Sequence, residues 1–302
     1  YDNLDRVAKS ERFDTTSTGN LIAKSETKYD DRGRVYQSIR YAVDPSTGTV
    51  GNSLTDNTWY DASGNVMKQL PAGSEQFTKT TYDSLGRPTT RYAGYDLDES
   101  TYADAGTVTG DTIMEQSEST YDDASNVIQS TSRQRYHNAP ASQTGELKNP
   151  TETPKARVTY VASYPDALGR GVASANYGTN GGSALVRSST IPTGTDDILV
   201  SQTEYDSAGN MESSIDPSGM VTSFEHDDVG RETSRKMNPQ ASPGSSSSAG
   251  GCEPSVDTNV TVETSYNADG NVHKITAKNA ATGDQVTEYV YGTTLTDSEI
   301  AS

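Results

Sequence analysis

Polar and apolar residues alternate over short stretches of this chain, and the alternation restarts after many of its glycines. After Gly33, for example, Val35, Gln37, Ile39 and Tyr41 fall on one face of an extended segment, and Tyr36, Ser38 and Arg40 on the other. Only part of each face is apolar. The pattern predicts many short β-strands over thin cores.

Between the strands one motif recurs: Tyr-Asp-x-x-Gly-Arg/Asn followed by an apolar residue. Well-formed copies carry Tyr29, Asp30 and Gly33; Tyr60, Asp61 and Gly64; Tyr82, Asp83 and Gly86; and Tyr205, Asp206 and Gly209. Variants begin at Tyr1, Tyr121 and Tyr266, and looser copies at His226 and Tyr164, the last with one extra residue. Asp at the first position and Gly at the fourth are what a type I β-turn favours, because the carboxylate accepts a nearby backbone N–H and glycine tolerates left-handed backbone. Each tag therefore predicts a hairpin turn, with Asp and Gly as stability residues. The residue six after the tyrosine (Val7, Val35, Val66, Val127, Met211, Val272) is predicted to make a diagonal contact across the hairpin.

Tags follow one another at uneven spacing with a minimum near 21 residues, enough for two strands of about seven residues and two turns. The extra length is turn-rich and falls at 14–20, 44–57, 94–112, 137–156, 176–197 and 238–257, where the second turn of a unit belongs. In an up-and-down meander this places the tags along one edge of the sheet and the inserts along the other. Residues 238–257, rich in Gly, Ser and Pro, are expected to be a flexible loop within a single array spanning 1–302. Opening on Tyr1 without a Met or an apolar leader, and closing at Ser302 just past an apparent strand, the chain is expected to be a fragment of a longer one. An interrupted strand is read around Glu288–Tyr291, with an edge open to flanking repeats or to other copies.

Composition sharpens this picture. Leu, Ile, Val and Phe make up about 14% of the residues, below the share of about 20% that packed globular domains usually exceed. Yet the net charge of −18 over 302 residues is too dilute to hold the chain open, and its 18 Tyr, with abundant Thr, suit half-buried sheet. Acidity without a basic run disfavours nucleic acid, and no stretch has the length of apolar sequence that a membrane-spanning helix needs.

These tags resemble the YD or RHS repeat of bacterial Rhs and wall-associated proteins, insecticidal Tc toxin subunits and teneurins. The stretch Ile215-Asp216-Pro217-Ser218-Gly219 through His226-Asp227-Asp228-Val229-Gly230-Arg231 follows that family's Asp-Pro-x-Gly, strand, tag order. The resemblance implies an all-β spiralling sheet that forms the wall of a hollow shell, secreted or on a cell surface. Asp5 and Ser125 at the Gly position, His226 at the Tyr position and Pro165 at the Asp position depart from it, and put those turns in question.

Candidate chemistry is sparse. His137, His226 and His273 have no partner at metal-ligand spacing, and no catalytic or phosphate-binding motif occurs. Acidic pairs such as Asp122-Asp123, Asp196-Asp197 and Asp227-Asp228, and the run Asp96-Leu97-Asp98-Glu99, read as solvated surface before calcium sites. Cys252, the one cysteine, reads as inert. The expectation is a non-enzymatic scaffold without cofactor or metal. A module binding carbohydrate or protein outside the cell, or a shell around a C-terminal toxin, are the alternatives.

Overall fold

A computed structural model describes residues 1–15, 19–95, 104–239 and 259–291. It is all-β, with eighteen strands and two short 3-10 turns, at Asp104–Gly106 and Asn180–Gly182. The chain gathers into two compact units, Tyr1–Ala162 with Tyr177–Arg187 and Ser163–Asn176 with Ser188–Ser302. The predicted loop at 238–257, the acidic run 96–99 and Cys252 lie almost entirely outside the described residues.

Unit 1 is an antiparallel meander of β1 (Lys9–Phe13), β2 (Leu21–Tyr29), β3 (Val35–Val43), β4 (Val50–Tyr60), β5 (Val66–Leu70), β6 (Gln76–Tyr82), β7 (Pro88–Tyr95), β8 (Thr112–Tyr121), β9 (Val127–Arg135) and β10 (Ala156–Pro165) as far as Ala162. Each strand pairs with the next. Unit 2 repeats the arrangement with β11 (Gly171–Gly178) as far as Asn176, β12 (Leu199–Tyr205), β13 (Met211–Ile215), β14 (Val221–His226), β15 (Glu232–Met237), β16 (Val260–Tyr266), β17 (Val272–Ala277) and β18 (Gln285–Glu288). In unit 1 the tags join β2–β3, β4–β5, β6–β7 and β8–β9, and in unit 2 β12–β13, β14–β15 and β16–β17. Within each unit the tags therefore line one edge and the variable inserts the other, because alternate turns of a meander lie at opposite ends of its strands.

The core is small. In unit 1 Phe77, Tyr92, Ile113 and Ala156 are buried on the sheet, and Leu147, from the insert after β9, packs against them. That insert folds back over the sheet and fills a core that the strands alone cannot close. In unit 2 the buried side chains are fewer, among them Tyr164, Ala173, Ala175 and Val200, with Ala175 directly opposite Val200.

The tag turns share one geometry. In the Tyr29 copy, Gly33 N–H donates to Asp30 O at 2.9 Å and Asp30 N–H to Arg34 O at 2.9 Å, while Gly33 holds φ at 82°. This is a type I turn closed by a left-handed residue that forms a bulge, and the register shifts at Tyr29 accordingly. Val35 stands directly opposite Tyr29. The predicted diagonal contact is thus corrected to a direct pair, because the bulge advances the register by one residue.

All four departures preserve the turn: in the His226 copy Gly230, at φ 80°, donates to Asp227 O at 2.9 Å. Asp5 and Ser125 take the left-handed conformation themselves, at φ 57° and 69°, and donate to Asp2 O and Asp122 O as glycine does elsewhere. Pro165 is an insertion. Asp166 occupies the Asp position, Gly169 donates to it at 2.9 Å, and the turn closes as in the other tags. Asp216-Pro217-Ser218-Gly219, at the opposite edge, builds the same turn, with Gly219 at φ 85°.

Gly86→Val tests the conformational demand without a packing change. Gly86 holds φ +78°, and the nearest atom to an added Cβ is the Asn65 side-chain oxygen at 3.7 Å. The cost is therefore backbone strain, expected at about 1–3 kcal/mol. A urea titration that finds the variant as stable as the parent would refute it.

Candidate functional site

The tags do more than turn the chain. In each well-formed copy Asp Oδ1 accepts backbone N–H groups of its own turn, as Asp30 does from Arg32 and Arg34 at 2.9 Å. Its Oδ2 then fixes the sixth tag residue. Where that residue is arginine, Nε donates to the carboxylate: Arg6 to Asp2, Arg34 to Asp30, Arg87 to Asp83 and Arg231 to Asp227 at 2.7 Å, and Arg170 to Asp166 at 2.8 Å. Where it is asparagine, as at Asn65, Asn126 and Asn210, the amide makes the same bond at 2.9–3.0 Å.

Anchored this way, each guanidinium lies over the ring of the following tag's tyrosine. Arg6 covers Tyr29, Arg34 Tyr60, Arg170 Tyr205 and Arg231 Tyr266 at 4.4 Å to the centroid, and Arg87 covers Tyr121 at 4.6 Å. The tyrosine, covered or not, donates its hydroxyl to the carbonyl of the residue that follows the preceding tag's Arg or Asn. Tyr29 reaches Val7 O at 3.1 Å, Tyr60 Val35 O and Tyr82 Val66 O at 2.8 Å, and Tyr121 Pro88 O at 2.9 Å. In unit 2, Tyr205 reaches Gly171 O at 3.2 Å, Tyr266 Glu232 O at 2.8 Å and Tyr291 Val272 O at 2.9 Å. Where the sixth residue is arginine the result is a joint from one tag to the next, Asp to Arg to Tyr to carbonyl, and at Tyr82 and Tyr291, which follow asparagine, the hydroxyl bond alone spans the two. Tyr291, read above as part of an interrupted strand, takes the place of a tag tyrosine.

Tyr60→Phe removes one hydroxyl and leaves the Arg34 stack in place. Its expected cost is about 0.5–1.5 kcal/mol, since a single neutral hydrogen bond on a part-exposed edge is lost. Thermal melts of parent and variant check it, and an unchanged midpoint would remove the hydroxyl from the joint.

Away from the tags, unit 1 carries a cleft of 470 Å³ between β6, β7 and the two inserts, lined by Lys79, Tyr92, Glu146 and Lys148 among others. Lys79 Nζ, almost fully buried, donates to Asp104 O and Asp111 Oδ2 at 2.8 Å and to Thr107 O at 2.7 Å. Tyr92 donates to Glu146 at 3.0 Å, and burial, then the Glu146 charge, push its phenol far above the ordinary range. A polar chain runs beside it: Gln116 accepts from Leu147 N–H, Gln116 and Arg133 both donate to Glu118, and Arg133 also donates to Asn149. The charged groups on this surface bind one another and hold the inserts to the sheet.

The acidic pairs are likewise used locally, Asp122 by Asn126 and Asp227 by Arg231. Among the described residues no three His, Cys, Asp or Glu side chains converge as a metal-binding group, and no helix is long and apolar enough to cross a membrane. His273 lies 3.4 Å from Glu288.

No family model matches the chain, and no curated protein matches it. Among solved structures it is similar to TcdB2-TccC3 without the hypervariable C-terminal region, at 14% identity and a TM-score of 0.33 over 96% of this chain and 16% of that one. It is also similar to the TcdB2-TccC3-Cdc42 structure, at 13% identity and a TM-score of 0.28 over 86% of this chain and 16% of that one. A third is the Tc holotoxin pore of Photorhabdus luminescens, at 13% identity and a TM-score of 0.27 over 86% and 15%. The chain thus spans about one sixth of the solved chains it matches.

Proposed function

We propose that this chain is a structural wall segment of the YD/RHS-repeat kind, without catalytic activity, in a large secreted or surface-displayed protein. The observation that carries the reading is the tag-to-tag joint. It spends the Asp, the Arg and the Tyr of the recurring motif on holding neighbouring hairpins together, and so accounts for the residues that recur. The tag resemblance supports the extracellular setting and an enclosing role for the whole protein. Its partners on this reading are flanking repeats or further copies meeting strand to strand, with no cofactor.

A paired measurement tests it. Residues 1–302 are surveyed on a glycan array, and tag variants are compared with insert variants for melting midpoint. The wall reading expects no saturable glycan binding, with tag variants losing stability alone. Saturable binding that an insert substitution abolishes at unchanged midpoint would replace it with the binding-module reading.

A further inference from the structure

One joint in unit 2 is built differently from its neighbours. Strand β14 ends in His226, where the other tags have tyrosine, and His226 has no hydroxyl to give to Met211 O, the carbonyl that a tag tyrosine would reach. The preceding tag ends in Asn210, whose amide is turned onto Asp206 Oδ2 at 3.0 Å, so no guanidinium lies over the imidazole. Elsewhere in the two units a joint with asparagine keeps its hydroxyl bond, as Tyr82 does to Val66 O and Tyr291 to Val272 O. Both fastenings are missing only at His226 among the described joints within a unit.

The ladder at that position is short as well. β13 and β14 share three residue pairs, Ser213–Ser223, Ser214–Thr222 and Ile215–Val221, against five for β14–β15 and five for β16–β17. On these two strands only Ser213 is buried, and the apolar Ile215, Val221 and Phe224 are half-buried. Their other connection is the tight Asp216–Gly219 turn, with no insert to fold back over it. On either side the joints are complete: Arg170 on Tyr205, with Tyr205 to Gly171 O, and Arg231 on Tyr266, with Tyr266 to Glu232 O.

The geometry points to a built-in opening seam between β13 and β14, at which β14–β18 part from β11–β13 as a block while both blocks stay folded. Local opening follows the distribution of fastening interactions, and here the two that recur at other joints are absent together. The inference concerns unit 2 alone and stands whether or not the chain is a wall. In a wall, the seam is where the sheet would part.

Hydrogen exchange of the whole 302-residue chain tests it. Those amides of 213–215 and 221–223 that bond across β13–β14 are expected to exchange at least about tenfold faster than the amides that bond across the β12–β13 and β16–β17 ladders, the factor that a missing hydrogen bond and a missing cation–π contact together supply. The double variant Asn210→Arg with His226→Tyr installs the chain's own joint and is expected to slow the seam by about tenfold without changing the flanking ladders. The converse pair, Arg231→Asn with Tyr266→His, is expected to create a second fast ladder at β15–β16. Equal exchange across all three ladders in the parent, or a seam that the installed joint leaves as fast as before, would overturn the proposal.

Discussion

Lys79→Met is expected to destabilise unit 1 by about 3–5 kcal/mol, the range found when one partner of a buried ion pair is removed and the other charge is left without it. Lys79 and Asp111 are 4% and 3% exposed, and Nζ sits 2.8 Å from the carboxylate. The ammonium also holds Asp104 O and Thr107 O, so it pins the insert at 104–111 to the sheet. Phe77, at the centre of the core, carries the Lys79 and Lys68 ammoniums each 4.8 Å from its ring. Losing Lys79 therefore unfastens the insert and the surface it covers together. Trp59, the chain's one tryptophan, lies in unit 1 under Lys68, so its fluorescence during a urea titration reports this unit. The double variant Lys79→Met with Asp111→Leu removes both charges, and is expected to recover only part of the loss, since the two carbonyls still want a donor. A single variant within about 1 kcal/mol of the parent would show that the pair is dispensable.

That lysine also marks where sequence reading stops. In Gln76–Tyr82 the alternation puts Phe77 and Lys79 on the same face, and a lysine there reads as solvent-facing. It is buried because an insert 25 or more residues away supplies its acceptors, which no local pattern announces. The tag turns were legible because Asp and Gly meet local demands that the turn itself imposes. The one-edge arrangement was legible because a meander with fixed and variable turns admits little else. The left-handed Asp5 and Ser125 were not, since the hydrogen bonds of the surrounding turn outweigh an unfavourable residue. The joint between tags lies half in view: the motif admits arginine or asparagine at its sixth position, although only arginine can span to the next ring.

Acid is expected to unfasten the tags, and the sign follows from the carboxylates. Asp2 is lowered to about 2, chiefly by the Arg6 hydrogen bond. Asp122 and Asp206 are lowered by their asparagine amides, and Asp83 and Asp227 by N–H groups of Arg87 and Arg231. At Asp30, Asp61 and Asp166 burial pushes the other way and is outweighed by the hydrogen bonds of Arg34, Asn65 and Arg170. A folded-state pKa below the unfolded one means that the unfolded chain binds more protons in acid. The stability these groups contribute is whole above the ordinary aspartate value of 3.8 and drains away as pH falls toward about 2. Acidification also relieves the self-repulsion of a chain at −18, an effect of opposite sign. Comparing the parent with Asp30→Asn separates the two, because both proteins share the relief and only the parent has that tag carboxylate to lose. Thermal melts from pH 7 to pH 2 are expected to show the variant less stable at neutral pH and the two curves converging below about pH 4. A gap that stays constant across the range, or widens in acid, would mean that the tag carboxylate does not fasten the turn through its charge.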